Sequence, residues 1–136
     1  MSARSKARKA ALDILYESDI RNIPAMKIVS ERENSIEYLI RDFTKNLVQG
    51  VSENLARIDE IILMRAKGWA IDRMPVVDRN ILRLATFEIL FAKETPYQVV
   101  IDEAVELAKS LSTEDSSDYV NGVLGAIYEV KNDLKI

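Results

Sequence analysis

Residues 74–91 read M-P-V-V-D-R-N-I-L-R-L-A-T-F-E-I-L-F, and no other stretch limits the fold as strongly. Val77, Ile81, Leu84, Ala85 and Ile89 recur at helical spacing, and Leu82 and Leu90 widen the stripe. A helix that is apolar on more than one face needs neighbours on several sides, so it belongs at the centre of a bundle. Pro75 suits the first helical position, where its missing N–H costs nothing, and Asp78 in the first turn favours the helix dipole. Arg79 and Arg83 fall outside the stripe and give this helix a charged margin.

The rest of the chain keeps the same period. Ser2 or Ser5 can cap a first helix running to about Asp19, with Ala7, Ala11, Ile14 and Leu15 as its apolar stripe. Pro24 can start a short helix through Met26, Ile28 and Val29, followed by a polar connection over 30–34. Ser35 then caps one long expected helix over 35–67, carried by Ile36, Leu39, Ile40, Phe43, Leu47, Val51, Leu55, Ile58, Ile61 and Ile62. Gly50 lies inside it, where glycine costs about 1 kcal/mol against alanine, so a neighbour packs closely there or the helix bends. Lys67 and Gly68 form its stop, and Trp69 is expected to pack between two halves.

Beyond the central helix, Thr95-Pro96-Tyr97-Gln98 reads as a capping box with proline at the first helical position. Val100, Ala104, Leu107, Ala108 and Leu111 follow as a buried stripe. A connection over 112–116 leads to a last helix through Val120, Val123, Leu124 and Ile127. Gly122 and Gly125, three apart in that helix, would admit a close neighbour, and the tail from Lys131 is expected to be loose. The fold expected is all-α, six to seven helices in two small bundles, 1–68 and 69–136, packed as one compact domain.

Composition narrows the function. The 136 residues include no His and no Cys, which removes Ser-His and Cys-His nucleophile activation, imidazole and thiolate metal ligands, and any disulfide. Asp102, Glu103 and Glu106 suit a solvated helix face better than paired catalytic carboxylates, so no enzyme activity and no cofactor are expected. No apolar run is long enough to cross a bilayer and no signal-peptide pattern opens the chain, and a cytoplasmic location is the simplest reading. The net charge of −3 is unevenly placed. Arg4, Lys6, Arg8 and Lys9 crowd the first ten residues without an acid, whereas Asp102, Glu103, Glu106, Glu114, Asp115 and Asp118 face Lys109 alone. That asymmetry suits a basic arm for a polyanion and an acidic surface for a basic partner.

Several stretches in this order resemble the NusB family of bacterial transcription antitermination factors. They are Arg4-Ser5-Lys6-Ala7-Arg8 leading into Ala11-Leu12-Asp13-Ile14-Leu15-Tyr16, then Leu47-Val48-Gln49-Gly50-Val51 and Ile58-Asp59-Glu60-Ile61-Ile62. Gly68-Trp69, Val77-Asp78-Arg79-Asn80-Ile81-Leu82-Arg83-Leu84-Ala85, the run from Pro96 to Lys109, and Tyr119-Val120-Asn121-Gly122-Val123-Leu124 complete the set. The resemblance implies a protein that binds the boxA element of ribosomal RNA leader transcripts with NusE, a ribosomal small-subunit protein. The pair joins an RNA polymerase antitermination complex.

By position, the resemblance places Arg4, Lys6 and Arg8 in the RNA-binding motif, with Lys9 beside them and Tyr16 further along the helix as a stacking surface for single-stranded RNA. Asp115 and Tyr119 fall in a region associated with RNA and partner contacts. Asp78 matches a position at the NusE interface, and Arg79 and Arg83 extend it. Ser5 stands where many relatives carry another arginine and Ser112 where a glycine is usual, which thins the basic motif and alters a loop. The chain fits a monomer or a homodimer, and a homodimer would mask the RNA face. The alternative reading is a purely structural helical interaction module whose basic end is an ordinary tail.

Overall fold

The computed structural model describes residues 2–36, 39–66 and 70–134, and its regular structure is helical throughout these residues. The helices are α1 Ala3–Arg21, α2 Ala25–Glu33, α3 Asp42–Glu53, α4 Leu55–Arg65, α5 Val76–Phe87, α6 Tyr97–Leu111 and α7 Glu114–Glu129. A π-helical segment, Glu88–Ala92, prolongs α5, closed by Lys93 donating its N–H to the Glu88 carbonyl at 3.1 Å. The expected boundary at 68/69, the helix stop at Lys67 and Gly68, and Trp69 lie outside the described residues.

As the wide apolar stripe requires, α5 is central, packing against α1, α3, α4, α6 and α7. Ile81, Leu82, Leu84 and Ala85 are buried in one core that runs from Ala11 of α1 to Ile127 of α7. α1 lies against α2 and α3, while α4 leans on α5 and α7, and α6 pairs with α7. α5 also buries Asp78, Asn80, Arg83 and Thr86. Its charged margin is therefore enclosed by neighbouring helices.

Capping is mixed. Ser2 caps α1 by accepting from the Ser5 N–H at 3.0 Å, and Thr113 caps α7 by accepting from the Ser116 N–H at 3.0 Å. Pro75 and Pro96 each stand one position earlier than expected, with extended ψ of 140° and 139°, so Val76 and Tyr97 are the first helical residues. No side-chain cap forms at the start of α6, and the capping box read from Thr95 and Gln98 is absent.

The long helix expected over 35–67 is two helices, and it begins later. Asn54 ends α3 by donating from Nδ2 to the Gly50 carbonyl at 2.8 Å, which offers that carbonyl a side-chain partner and breaks the run. Ile36 and Leu39, read as part of the stripe, are exposed in the connection between α2 and α3. Apolar spacing continued across this link by coincidence. In contrast, α2 runs further than its sequence suggests, through the polar residues to Glu33. Arg32 reaches back to Glu17, and Arg21 pairs with Glu17 at 2.6 Å and Glu31 at 3.3 Å, so ion pairs to α1 hold its polar end.

The two glycine expectations divide. At Gly50 a Cβ would stand 2.0 Å from Cζ of Phe87, so the ring occupies the space a side chain would need. At Gly122 and Gly125 nothing lies within 4 Å of such a Cβ, and no described helix uses that approach. Gly50→Ala should therefore cost about 1–2 kcal/mol in a denaturant titration, because Phe87 must shift in a packed site. Gly125→Ala should change stability little or raise it. Equal effects at the two sites would contradict this packing.

The described part of the tail, expected to be loose, is ordered. Lys131–Asp133 forms a 3-10 turn and Leu134 packs against the core.

Candidate nucleic-acid interface

α1 carries its cations on two different faces, because a helix separates residues two apart by about 200°. Lys6, Lys9, Asp13, Tyr16 and Ile20 follow at spacings of three and four and share one outward face. Lys6 is exposed, and its side chain makes no ion pair or hydrogen bond among the described residues. Lys9 reaches Asp13 at 3.2 Å, a solvent-screened pair that a polyanion can displace. Tyr16, 41% exposed, offers part of its ring to solvent, and Ile20 continues the strip.

Arg4 and Arg8 lie on the opposite side, stacked on the Phe43 ring of α3 with their guanidinium carbons 4.7 and 5.3 Å from its centre. Arg4 remains exposed. Arg8 is only 3% exposed and grips Glu88 with two parallel bonds, Nε to Oε2 at 2.8 Å and Nη2 to Oε1 at 2.9 Å. A third contact reaches Glu103 at 3.5 Å. Burial works against the Arg8 charge, but the bonds to Glu88 and the attraction of both carboxylates outweigh it, so its pKa is raised. Arg8, which the resemblance places in the RNA-binding motif, is therefore not an open surface cation. It is a core ion pair joining α1 to the end of α5.

Ser5, at the position where many relatives carry arginine, donates its hydroxyl to Glu103. Thr44 donates to the Ala7 carbonyl at 2.9 Å. The first two turns of α1 are thus anchored on one side by α3 and on the other by α6. Beside them a groove of about 370 Å³ opens, lined by Ser5, Lys9, Glu103, Glu106, Leu107, Ser110 and Leu111. It runs along α6 towards the start of α7, where Asp115 is exposed in the first turn. Tyr119, one turn on, packs partly against the core, and burial pushes its phenol pKa up.

The residues expected at a protein interface are mostly enclosed. Asp78 is fully buried and accepts from the Ser116 hydroxyl at 2.7 Å, tying α5 to the first turn of α7. Arg83, 8% exposed, grips Asp59 of α4 with Nε and Nη2 at 2.8 and 2.9 Å and reaches Asp19 of α1 at 3.0 Å. Arg79 joins the same Asp19 at 3.2 Å, and Asn80 donates to it at 2.8 Å. This network floors a cleft of about 450 Å³ between the α1–α2 turn, the α3–α4 junction and α5. As a set of side chains open to a partner, Asp78, Arg79 and Arg83 do not fit the structure. Arg79 and Arg83 brace the helices around the cleft, and Asp78 ties α5 to α7.

Sequence reasoning missed Glu88, Asp19 and Asp59 as members of these networks, and it read Glu103 as part of a solvated face where the structure binds it to Ser5 and Arg8. One signal was visible. Glu88 interrupts an apolar run, and an acid so placed needs a buried cation. Asp19 and Asp59 carried no comparable mark. Phe43 was read as core alone, and only its position under Arg4 and Arg8 gives it a second role.

Residues 5–129 match the model of the NusB family. The transcription antitermination protein NusB of Streptomyces avermitilis is 46% identical over 140 residues, spanning 99% of this chain and 97% of that protein. Among solved structures, T. maritima NusB superposes with a TM-score of 0.82 at 35% identity, over 98% of this chain and 99% of that one. A chain from the complex of antitermination factors NusB and NusE with double-stranded RNA superposes with a TM-score of 0.82 at 32% identity, covering 93% and 96%.

Proposed function

The chain belongs to the NusB family of transcription antitermination proteins, and on that premise we propose that it binds boxA RNA along α1 together with NusE. The observation that carries the reading is the outward face of α1. Among the described residues Lys6 has no competing carboxylate, Lys9 has only a weak one, and exposed Tyr16 follows two turns on. Cations on a rigid helix hold phosphates and release counterions, while an aromatic face accepts an unstacked base, so the strip suits a single strand. Arg4 adds a fourth contact from the helix end. Arg8 acts by holding that end in place through Glu88, and Asp115 and Tyr119 border the RNA where α7 begins.

NusE, in this reading, covers the surface around the cleft braced by Asp19, Arg79 and Arg83. Asp78 supports it from within through Ser116. The acidic α6 and α7 speed the encounter with a basic ribosomal protein, and the complex then joins RNA polymerase.

A fluorescence anisotropy titration tests the reading, with a boxA single strand, a scrambled strand and the boxA duplex, each with and without NusE and across a salt series. The boxA strand should bind best and tighten with NusE, and its affinity should fall by roughly 0.7 log units per log of salt for each phosphate held. Lys6→Ala should weaken every RNA, lower that slope by about 0.7 and leave the unfolding midpoint unchanged. Equal, weak binding of all three RNAs with NusE present would leave a helical interaction module with a basic tail. Better binding of the duplex would instead favour the kind of RNA found in the related NusB–NusE complex.

A further inference from the structure

The groove between α1 and α6 is poorly suited to the phosphates that Lys6 and Lys9 attract. Glu103 and Glu106 both line it, and Lys9, the one cation among its described lining residues, already faces Asp13. Yet it adjoins the basic face, because Lys9 forms part of its wall, and its volume of about 370 Å³ exceeds that of a nucleobase. Leu107 and Leu111 supply an apolar floor, and Leu111 remains 40% exposed. Ser5 and Ser110 add hydroxyls at the edge. A flat apolar object with hydrogen-bond donors on its rim fits these walls, and an anion does not.

The two carboxylates decide which donors. Glu103 is fixed in place, with Oε1 taken by Ser5 and Arg8, and its Oε2 makes no hydrogen bond among the described residues. Among the described residues Glu106 is held only by Lys109 at 3.9 Å, with 71% of its side chain exposed, so both its oxygens can accept. An ionised carboxylate only accepts, and it repels the carbonyl oxygens that uracil presents on either side of its single N–H. Guanine places N1–H and the N2 amino group side by side, matching the two oxygens of one carboxylate. Adenine and cytosine bring one amino group and no such pair.

We infer that the α1–α6 groove seats a single guanine base of the bound RNA, with Glu106 accepting from N1–H and N2–H and Glu103 orienting the pocket. This rests on the proposed RNA-binding role of α1 and names the base that its neighbouring groove selects. An arginine from a protein partner could also pair with Glu106, but Lys9 in the wall repels a cation where it would welcome the phosphate flanking a base.

The test uses the full chain and four single-stranded decamers, U10, (UA)5, (UG)5 and (UI)5, where inosine is guanosine without its amino group. (UG)5 should bind roughly tenfold more tightly than (UI)5 or U10 at one salt concentration, as expected for one bidentate pair. In Glu106→Gln that preference should fall below about twofold, while the salt slope stays unchanged. Glu103→Gln, which disturbs the Ser5 and Arg8 contacts, serves only as a second variant and should reduce the preference partly. Salt-dependent binding with no preference, or a preference that survives Glu106→Gln, would overturn this inference and leave the RNA role intact. Loss of NusE binding in Glu106→Gln with the base preference unchanged would assign the groove to a protein arginine and overturn it as well. Absence of salt-dependent binding to any decamer and to the boxA strand would overturn both.

Discussion

Arg8→Ala should lower the unfolding free energy by about 3–5 kcal/mol, read from urea or thermal denaturation, the range for removing one partner of a buried ion pair. Glu88 is 3% exposed and would be left buried without its guanidinium partner, and the stack on Phe43 would be lost as well. The double variant Arg8→Met with Glu88→Leu should recover most of the loss, since apolar side chains of similar volume often replace a buried pair at little cost. It also separates structure from recognition. If Arg8 serves RNA only by fixing the start of α1, the double variant should bind RNA within about twofold of the parent. A stable double variant with a tenfold loss of RNA affinity would restore Arg8 as a direct phosphate contact. An unchanged midpoint in Arg8→Ala would show that the pair with Glu88 contributes nothing.

Arg83→Ala should cost about 3 kcal/mol, the lower end of the same range. Its acids retain some water, with 22% of the Asp59 side chain and 26% of the Asp19 side chain exposed, so part of the lost pairing is replaced by hydration. Arg83→Lys should recover only a fraction of this, because a point charge cannot repeat the fork on Asp59. NusE capture at a temperature where each variant is still folded tells bracing from direct contact. Bracing predicts that affinity tracks stability across both variants, and a loss of binding in Arg83→Lys beyond its stability change would place the guanidinium in the interface.

Much of the architecture was legible because it depends on one-dimensional spacing. The apolar stripe of α5 named the central helix, and the spacing of Ala7, Ala11, Ile14 and Leu15 named the buried face of α1. Spacing failed where a side chain competes with the backbone, as Asn54 does at the α3–α4 junction, and where apolar residues continue into an irregular link, as Ile36 and Leu39 do. Gly50 and Gly125 look alike in sequence, and only one faces a phenyl ring. The basic motif was equally legible as a cluster, but a run of cations does not say which of them has an acid waiting across the core.

From the amino-acid order alone follow the all-helical class, the central place of α5, the absence of histidine and cysteine chemistry, and the basic start of α1, because periodicity, composition and local charge are properties of the chain itself. Tertiary structure decided how that charge is used. Glu88 lies eighty residues from Arg8, and Asp19 and Asp59 are likewise distant from Arg83. Which cations are held in buried pairs, and which, like Lys6, stay open to an RNA phosphate, depends on long-range contacts that residue spacing does not encode.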